Sequence, residues 1–354
     1  MRIAQVSPLY ESVPPRLYGG TERVVAHLCD ALVELGHQVT LFASAEANTR
    51  AQLVAVRDQA IRLDPAPLKS DLAAHLTQLG MVRDRAAEFD VVHFHSDLIH
   101  FALFENMADH TLTTLHGRLD LRDLQPVYER WRAFPLASIS NAQRTHLPGA
   151  NWAGTVHHGV PADLYEFSPK SRGYLAFLGR ISPEKRPDRA IEIAKRLGRP
   201  LRIAAKVDWV DRAYFEERIE PLLHHPLIEF VGEIGDRERS DFLGGAEALL
   251  FPIDWPEPFG LVMIEAMACG TPVVAFDCGS VREVIEPGLT GFVVSDVAQA
   301  VDAVTLAAKL DRLGVRQRFE ERFDATVMAR RYVEVFARTI ADRAAASRQR
   351  AEPA

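Results

Sequence analysis

Cysteine is scarce in this 354-residue chain: Cys29, Cys269 and Cys278 are the only three, with no CxxC spacing. A disulfide framework and a structural zinc site are therefore not expected, and all three read as small buried hydrophobes. No stretch approaches the ~20 apolar residues that a membrane-spanning helix needs. Basic residues are in deficit, 41 Lys+Arg against 48 Asp+Glu, for a formal net charge of −7. Split near residue 165, the first part holds 14 Lys+Arg against 18 Asp+Glu and the second 27 against 30. Neither part has the surplus that a nucleic-acid partner demands, so any positive site must be local. The opening Met1-Arg2-Ile3-Ala4-Gln5-Val6 lacks the long apolar region and cleavage site of a secretory signal. A cytoplasmic protein is expected, with no transmembrane segment and peripheral membrane contact left open. Neither a G-x-G-x-x-G fingerprint nor a P-loop occurs.

What is present is an alternation. Hydrophobic residues make up 47% and charged residues 25%, values of a globular chain long enough for two domains. Short apolar or β-branched runs predict strands at Arg2–Val6, Gln38–Phe42, Val91–Phe94, Thr111–Leu115, Leu136–Ile139 and Thr155–His158. A second series lies at Tyr174–Leu178, Leu201–Lys206, Ile228–Val231, Ala248–Phe251, Pro272–Phe276 and Gly291–Val294. Helical patterns separate them, among them Thr21–Leu35, Pro187–Leu197, Arg212–Ile219, Leu261–Cys269 and Val297–Leu310. The fold class is α/β, two Rossmann-like domains with parallel sheets covered by helices. The boundaries expected are 1–165 and 170–325, with a linker at Pro161–Gly173 rich in Pro, Ser and charge. One long helix, 326–343, should pack back on what is already built, leaving 344–354 as a frayed tail.

Ligands of such sheets bind beyond the carboxyl ends of the strands. Two segments there carry chemistry. Pro256-Glu257-Pro258-Phe259-Gly260-Leu261 opens the helix Leu261–Cys269, which Gly270 and Pro272 stop. Backbone N–H groups at that opening favour an anion, and Glu257 and Glu265 suit vicinal hydroxyls of a sugar or ribose. Arg180 follows a strand, and Lys185 stands at a helix start on the same loop, so the two can clamp a diphosphate, Arg as a fork and Lys as a point charge. Gly19-Gly20 precedes the first helix, where Thr21 can serve as cap.

The Glu257…Glu265 spacing resembles the E-x7-E motif of retaining GT-B glycosyltransferases, specifically glycosyltransferase family 4 (glycosyl transferases group 1). Gly179-Arg180-Ile181-Ser182-Pro183-Glu184-Lys185-Arg186 is similar to that family's phosphate-binding segment, which often has glycine where Arg186 stands. Leu17-Tyr18-Gly19-Gly20-Thr21-Glu22-Arg23 looks like its N-terminal glycine loop. The resemblance implies a GT-B fold, with the acceptor mainly on the first domain, the donor mainly on the second and the chemistry between them. It implies transfer with retention from a nucleotide-sugar to a small-molecule, glycan or lipid-linked acceptor. It implies no cofactor and no metal. Arg180, Lys185 and the helix opening at Pro258, Phe259, Gly260 and Leu261 would stabilise the leaving diphosphate. Glu257 would hold the donor sugar and Glu265 the ribose. The nucleobase would meet backbone near Ile234, and Gly19 and Gly20 would approach donor or acceptor.

Eleven of the thirteen histidines precede residue 160. His93 and His95 alternate on a strand end and, with Asp97, read as acceptor-side hydrogen-bonding groups; a metal site is their alternative. His116 matches a histidine that the family uses beside the donor sugar, and His157-His158-Gly159-Val160 resembles its Asn-Gly-Val turn. Two rival functions stay open: a sugar-nucleotide epimerase of the same fold, and a two-domain solute-binding protein.

Overall fold

The computed structural model describes residues 1–16, 19–66, 68 and 70–351, apart from the side chains of 236, 237, 346, 347 and 349–351. It divides into two units, Met1–Gly159 with the chain from Ala325 onward, and Val160–Asp324. The first unit is built on β1 (Arg2–Val6), β2 (Gln38–Ser44), β3 (Gln52–Arg57), β4 (Val91–Phe94), β5 (Thr111–Thr114), β6 (Leu136–Ser138) and β7 (Trp152–Thr155). All pair in parallel, in the order β3-β2-β1-β4-β5-β6-β7. Central strands of such a sheet are buried on both faces, and accordingly β4 and β5 have no exposed residue. Helix Gly20–Glu34 closes one face with Val24, Val25, Leu28 and Leu32, all fully buried.

The long C-terminal helix, Ala325–Ala351, belongs to this first unit. It buries Met328, Tyr332, Val335 and Phe336, and the Tyr332 hydroxyl meets Thr114 Oγ1 at 2.9 Å. It passes so close to β7 that a Cβ on Gly154 would stand 3.0 Å from Val335 Cγ2. The helix runs past Arg343 to Ala351, because the Ala-rich stretch from Ala344 continues a good helix former, so the frayed tail expected from 344 is not what is seen. Residues 352–354 lie outside the described residues.

The second unit carries β8 (Tyr174–Arg180), β9 (Leu201–Lys206), β10 (Ile228–Gly232), β11 (Ala246–Phe251), β12 (Val273–Phe276) and β13 (Gly291–Val294). Again all are parallel, in the order β10-β9-β8-β11-β12-β13. Leu175, Phe177, Ile191, Ile203, Leu250 and Val274 form its core. Each such side chain, fully buried, contributes roughly 1.5–3 kcal/mol. Residues 160–165 belong here rather than to the first unit. Val160 N–H donates to Phe323 O (3.0 Å), and Arg316 donates to the carbonyls of Ala162 and Tyr165, both at 2.8 Å.

Two sequence expectations shift. The strand placed at Thr155–His158 lies instead at Trp152–Thr155, where four half-buried residues give no apolar alternation. Edge strand β3 escapes the sequence reading, since none of its residues is fully buried. In each sheet the order reverses once, between β1 and β4 and between β8 and β11. Those reversals are the switch points where open parallel sheets bind ligands.

Candidate active site

At the switch point of the second sheet, β8 delivers Arg180 as its last residue and β11 leads into residues 252–260. The turn that enters helix Leu261–Ala268 depends on Gly260, at φ 80°. A Cβ there would stand 2.9 Å from both Met263 Cε and Phe251 Cζ. Phe259 is buried beneath this turn, Pro258 is buried beside it, and no side chain caps the helix. Met263 N–H turns back to Gly260 O (3.0 Å), and the N–H groups of Leu261 and Val262 are the ones that suit an anion.

Glu257 is held by backbone. Its N–H donates to Trp255 O (2.7 Å), and its carbonyl accepts from Ser280 N–H (3.0 Å). Ser280 Oγ also donates to Phe259 O at 2.8 Å. This contact requires Gly279, at φ 57°, because a Cβ would lie 2.3 Å from Glu257 O and 2.5 Å from Glu257 N. Gly279→Ala should therefore destabilise by about 1–3 kcal/mol, as overpacking does, and lower kcat by moving Glu257. Denaturant melts beside steady-state rates check this; an unchanged kcat would mean that the loop does not position Glu257.

The cations are already paired. Lys185 and Glu257 form a salt bridge with only 18% and 10% of their side chains exposed, and the Trp255 indole N–H donates to the same carboxylate oxygen at 3.1 Å. The Lys185 ammonium stands 4.9 Å from the Trp255 ring centroid and 5.7 Å from that of Phe251. Arg180 donates to Glu184 (2.7 Å) and lies 3.4 Å from Asp211 and 3.8 Å from Asp208, which in turn meets Lys206 at 3.0 Å. Both cations are thus compensated, since half-buried charge without a partner is costly. Lys185 also stands in a turn, its N–H donating to Ser182 O, and the helix proper starts at Pro187.

Arg186 occupies the left-handed region, at φ 52° and ψ 52°, where glycine is at ease. That costs a non-glycine residue roughly 1–2 kcal/mol. Its guanidinium offsets this by binding Asp188 (2.7 and 2.9 Å) and Asp254 (2.9 Å). Glu265 is 2% exposed and accepts from Arg239 at 2.9 Å, so its carboxylate too has a partner. Ile234 is buried in the loop after β10.

In the first unit, Gly19 precedes helix Gly20–Glu34, where a Cβ would come within 2.8 Å of Pro15. Thr21 lies inside the helix and is not its cap. Leu17 and Tyr18 lie outside the described residues. His95, beyond β4, shares hydrogen bonds with Gln5 Oε1 (2.7 Å) and His116 Nε2 (2.8 Å). His116 stacks on His158, ring centroids 5.2 Å apart. His93 is turned into the core: it bonds Thr114 Oγ1 at 2.7 Å and packs against Tyr332 and Phe336. Its ring lies against that of His95, centroids 4.1 Å apart, and both are buried, so the two point the same way but into the protein. Asp97 is exposed in the loop after β4, at φ 49°. Among the described residues no group of three or more His, Cys, Asp or Glu could hold a metal ion.

Burial holds His93, His95 and His158 well below the usual imidazole value, with neighbouring imidazoles adding to the effect, and takes His116 down to about 3. The folded chain keeps these rings neutral where the unfolded chain protonates them. Their contribution is present above pH ~6.5 and is lost as the pH falls below it, by up to about 1.4 kcal/mol per pH unit per ring. Thermal melts between pH 7 and 5 should show a falling Tm that His95→Gln moderates; a flat profile would contradict neutral burial.

Sequence reasoning missed Gly279, Ser280, Trp255 and Gln5. A Gly-Ser pair in the loop two residues after a strand is the available signal for the first two. No local signal marks Gln5, whose partner is 90 positions away.

Residues 166–325 match the family described as Glycosyl transferases group 1, and residues 18–173 match Glycosyltransferase Family 4. The chain is 28% identical to glycogen synthase of Mycobacterium tuberculosis, over 95% of this chain and 94% of that protein. It is 26% identical to phosphatidyl-myo-inositol mannosyltransferase of Mycobacterium leprae, over 95% and 96%. Among solved structures, AviGT4, a glycosyltransferase involved in avilamycin A biosynthesis, aligns with TM-score 0.75 and 28% identity over 97% of this chain and 98% of that one. Sucrose-phosphate synthase from Thermosynechococcus elongatus aligns with TM-score 0.77 over 97% and 100%; at 18% identity it speaks for the fold alone. With two parallel-sheet units and family matches that together run from residue 18 to 325, the chain belongs to the group 1, family 4 glycosyltransferases and has their GT-B fold.

Proposed function

We propose that this glycosyltransferase takes its sugar from a nucleoside diphosphate sugar bound at the β8/β11 switch point, and transfers it with retention and without a metal. One observation carries the reading: Lys185 meets Glu257 beside a helix N-terminus without a side-chain cap, on the loop that Arg180 opens at the end of β8. Arg180 and Lys185 stabilise the charge that develops on the leaving diphosphate, in a partly desolvated site where such stabilisation is strongest. Glu257 holds donor-sugar hydroxyls and Glu265 the ribose. The leaving phosphate itself accepts the acceptor's proton, so no side chain becomes a covalent nucleophile. Ring nitrogens of His93 and His95 are engaged with Thr114, Gln5 and His116, which supports a structural use over metal ligation. His95 and Asp97 stand on the acceptor side, and His116 beside the donor sugar.

Glycogen synthase and phosphatidyl-myo-inositol mannosyltransferase among the relatives support a glycan or a lipid-linked acceptor. No described helix is long and apolar enough to cross a membrane, and a cytoplasmic enzyme with peripheral contact fits that. Labelled UDP-glucose, GDP-mannose and ADP-glucose, each offered with candidate acceptors, test the reading. Product with retained anomeric configuration is expected by NMR, at a rate unchanged by excess EDTA. An inverted product, isomerisation without transfer, or complete loss of rate in EDTA restored by manganese would each overturn the corresponding part.

A further inference from the structure

Beyond β9 the chain does something that a plain Rossmann connection does not require. Trp209 is 86% exposed and Val210 60% exposed, in the turn Trp209–Asp211 that follows the carboxyl end of β9. Together they leave adjacent apolar surface in water at the loop tip. Trp209 forms one wall of a cavity of about 360 Å³. Phe215 and Glu216, from the π-helical turn Phe215–Ile219, and Glu220 after it also line the cavity. Pro221 accounts for the widening, because it has no N–H to give to residue 217 and its ring crowds that carbonyl. The wider turn presents Glu216 and Glu220 to the cavity, while Phe215 backs onto Phe230 with ring centroids 5.8 Å apart.

The lining selects its ligand. Asp208, Glu216 and Glu220 oppose one guanidinium, Arg212, which is bound to Glu216 at 2.9 Å. Excess negative charge repels a phosphate or carboxylate, and a purely apolar guest would strip water from the acids. A neutral polyol meets both demands. Its hydroxyls donate to carboxylates, and the C–H face of its ring lies on the indole. The volume falls at the small end of ligand pockets, about 300–1,000 Å³, with room for a sugar ring and not a polymer. Asp208 joins this cavity to the Arg180 cluster, so the two share a wall.

We propose that the Trp209 cavity is a carbohydrate subsite taking a neutral pyranose ring, separate from the donor phosphates. This rests on the reading that the enzyme handles sugars, but not on the role given to Lys185. Methyl α-D-glucopyranoside, methyl α-D-mannopyranoside and maltotriose, titrated without donor and followed by saturation-transfer NMR and calorimetry, test it. At least one should bind saturably. Trp209→Ala should weaken that binding about tenfold, while Trp209→Phe, which keeps a stacking face, should stay within about threefold. UDP, GDP and ADP affinities should be unchanged in Trp209→Ala. The proposal fails if no probe saturates the wild type, or if Trp209→Ala binds the probes normally. It fails equally if Trp209→Ala loses nucleoside diphosphate affinity, which would make the indole a base platform. Failure of the donor reading would show elsewhere, as normal diphosphate affinity in Lys185→Ala.

Discussion

Lys185→Ala should lower kcat by on the order of 10²–10³, the usual cost of removing one donor aimed at developing charge. The ammonium is the group most tightly framed in the β8/β11 site, between Glu257, Trp255 and Phe251. Desolvated by those rings, it interacts with a leaving diphosphate at lower dielectric than a surface lysine would. The substitution also strands a carboxylate with 10% of its side chain exposed, which destabilises by roughly 3–5 kcal/mol. The double variant Lys185→Ala/Glu257→Gln removes that stranded charge. It should recover most of the stability and none of the turnover. A double variant that turns over as fast as Glu257→Gln alone would mean that Lys185 serves only the fold.

Glu257→Gln should move two quantities in opposite directions. Turnover of the intact donor should fall about tenfold to 150-fold, the loss of one charged hydrogen bond worth roughly 1.5–3 kcal/mol. Affinity for free nucleoside diphosphate should rise, by about 1 kcal/mol or more, because Glu257 both competes for the Lys185 ammonium and repels phosphate. The sequence alone suggests almost no change in that affinity; the ion pair changes the expectation. Calorimetry beside steady-state rates reads both numbers. A fall in diphosphate affinity would show that Glu257 does not oppose the anion.

Much of this architecture is legible from local pattern. Alternating apolar runs and helical stripes place eleven strands within a few residues of where they form, because buried parallel strands must be apolar throughout. The helix opening at Gly260 was readable too, since proline and glycine punctuate chains for steric reasons. What resisted reading depends on distance. Lys185 and Glu257 are 72 positions apart, so their pairing was invisible, and two residues expected to act on different parts of the donor turned out to be partners. Strand alternation places His93 and His95 on one side, and their rings do lie together, but the C-terminal helix supplies the Tyr332 and Phe336 that cover His93. β7 was misplaced because Gly154, chosen for close approach to Val335, breaks the apolar pattern of its strand. Gly279 carries its meaning only once Glu257 lies 2.3 Å from where its Cβ would be.

The central claim is that the donor diphosphate sits at the β8/β11 switch point. Calorimetric titration of UDP, GDP and ADP into wild-type protein and into Arg180→Ala and Lys185→Ala variants, each first shown to be folded, tests it most directly. At least one nucleotide should bind the wild type, and each substitution should weaken it by roughly 1.5–3 kcal/mol, the value of a charge-assisted contact. Equal affinity in all three proteins would contradict the placement.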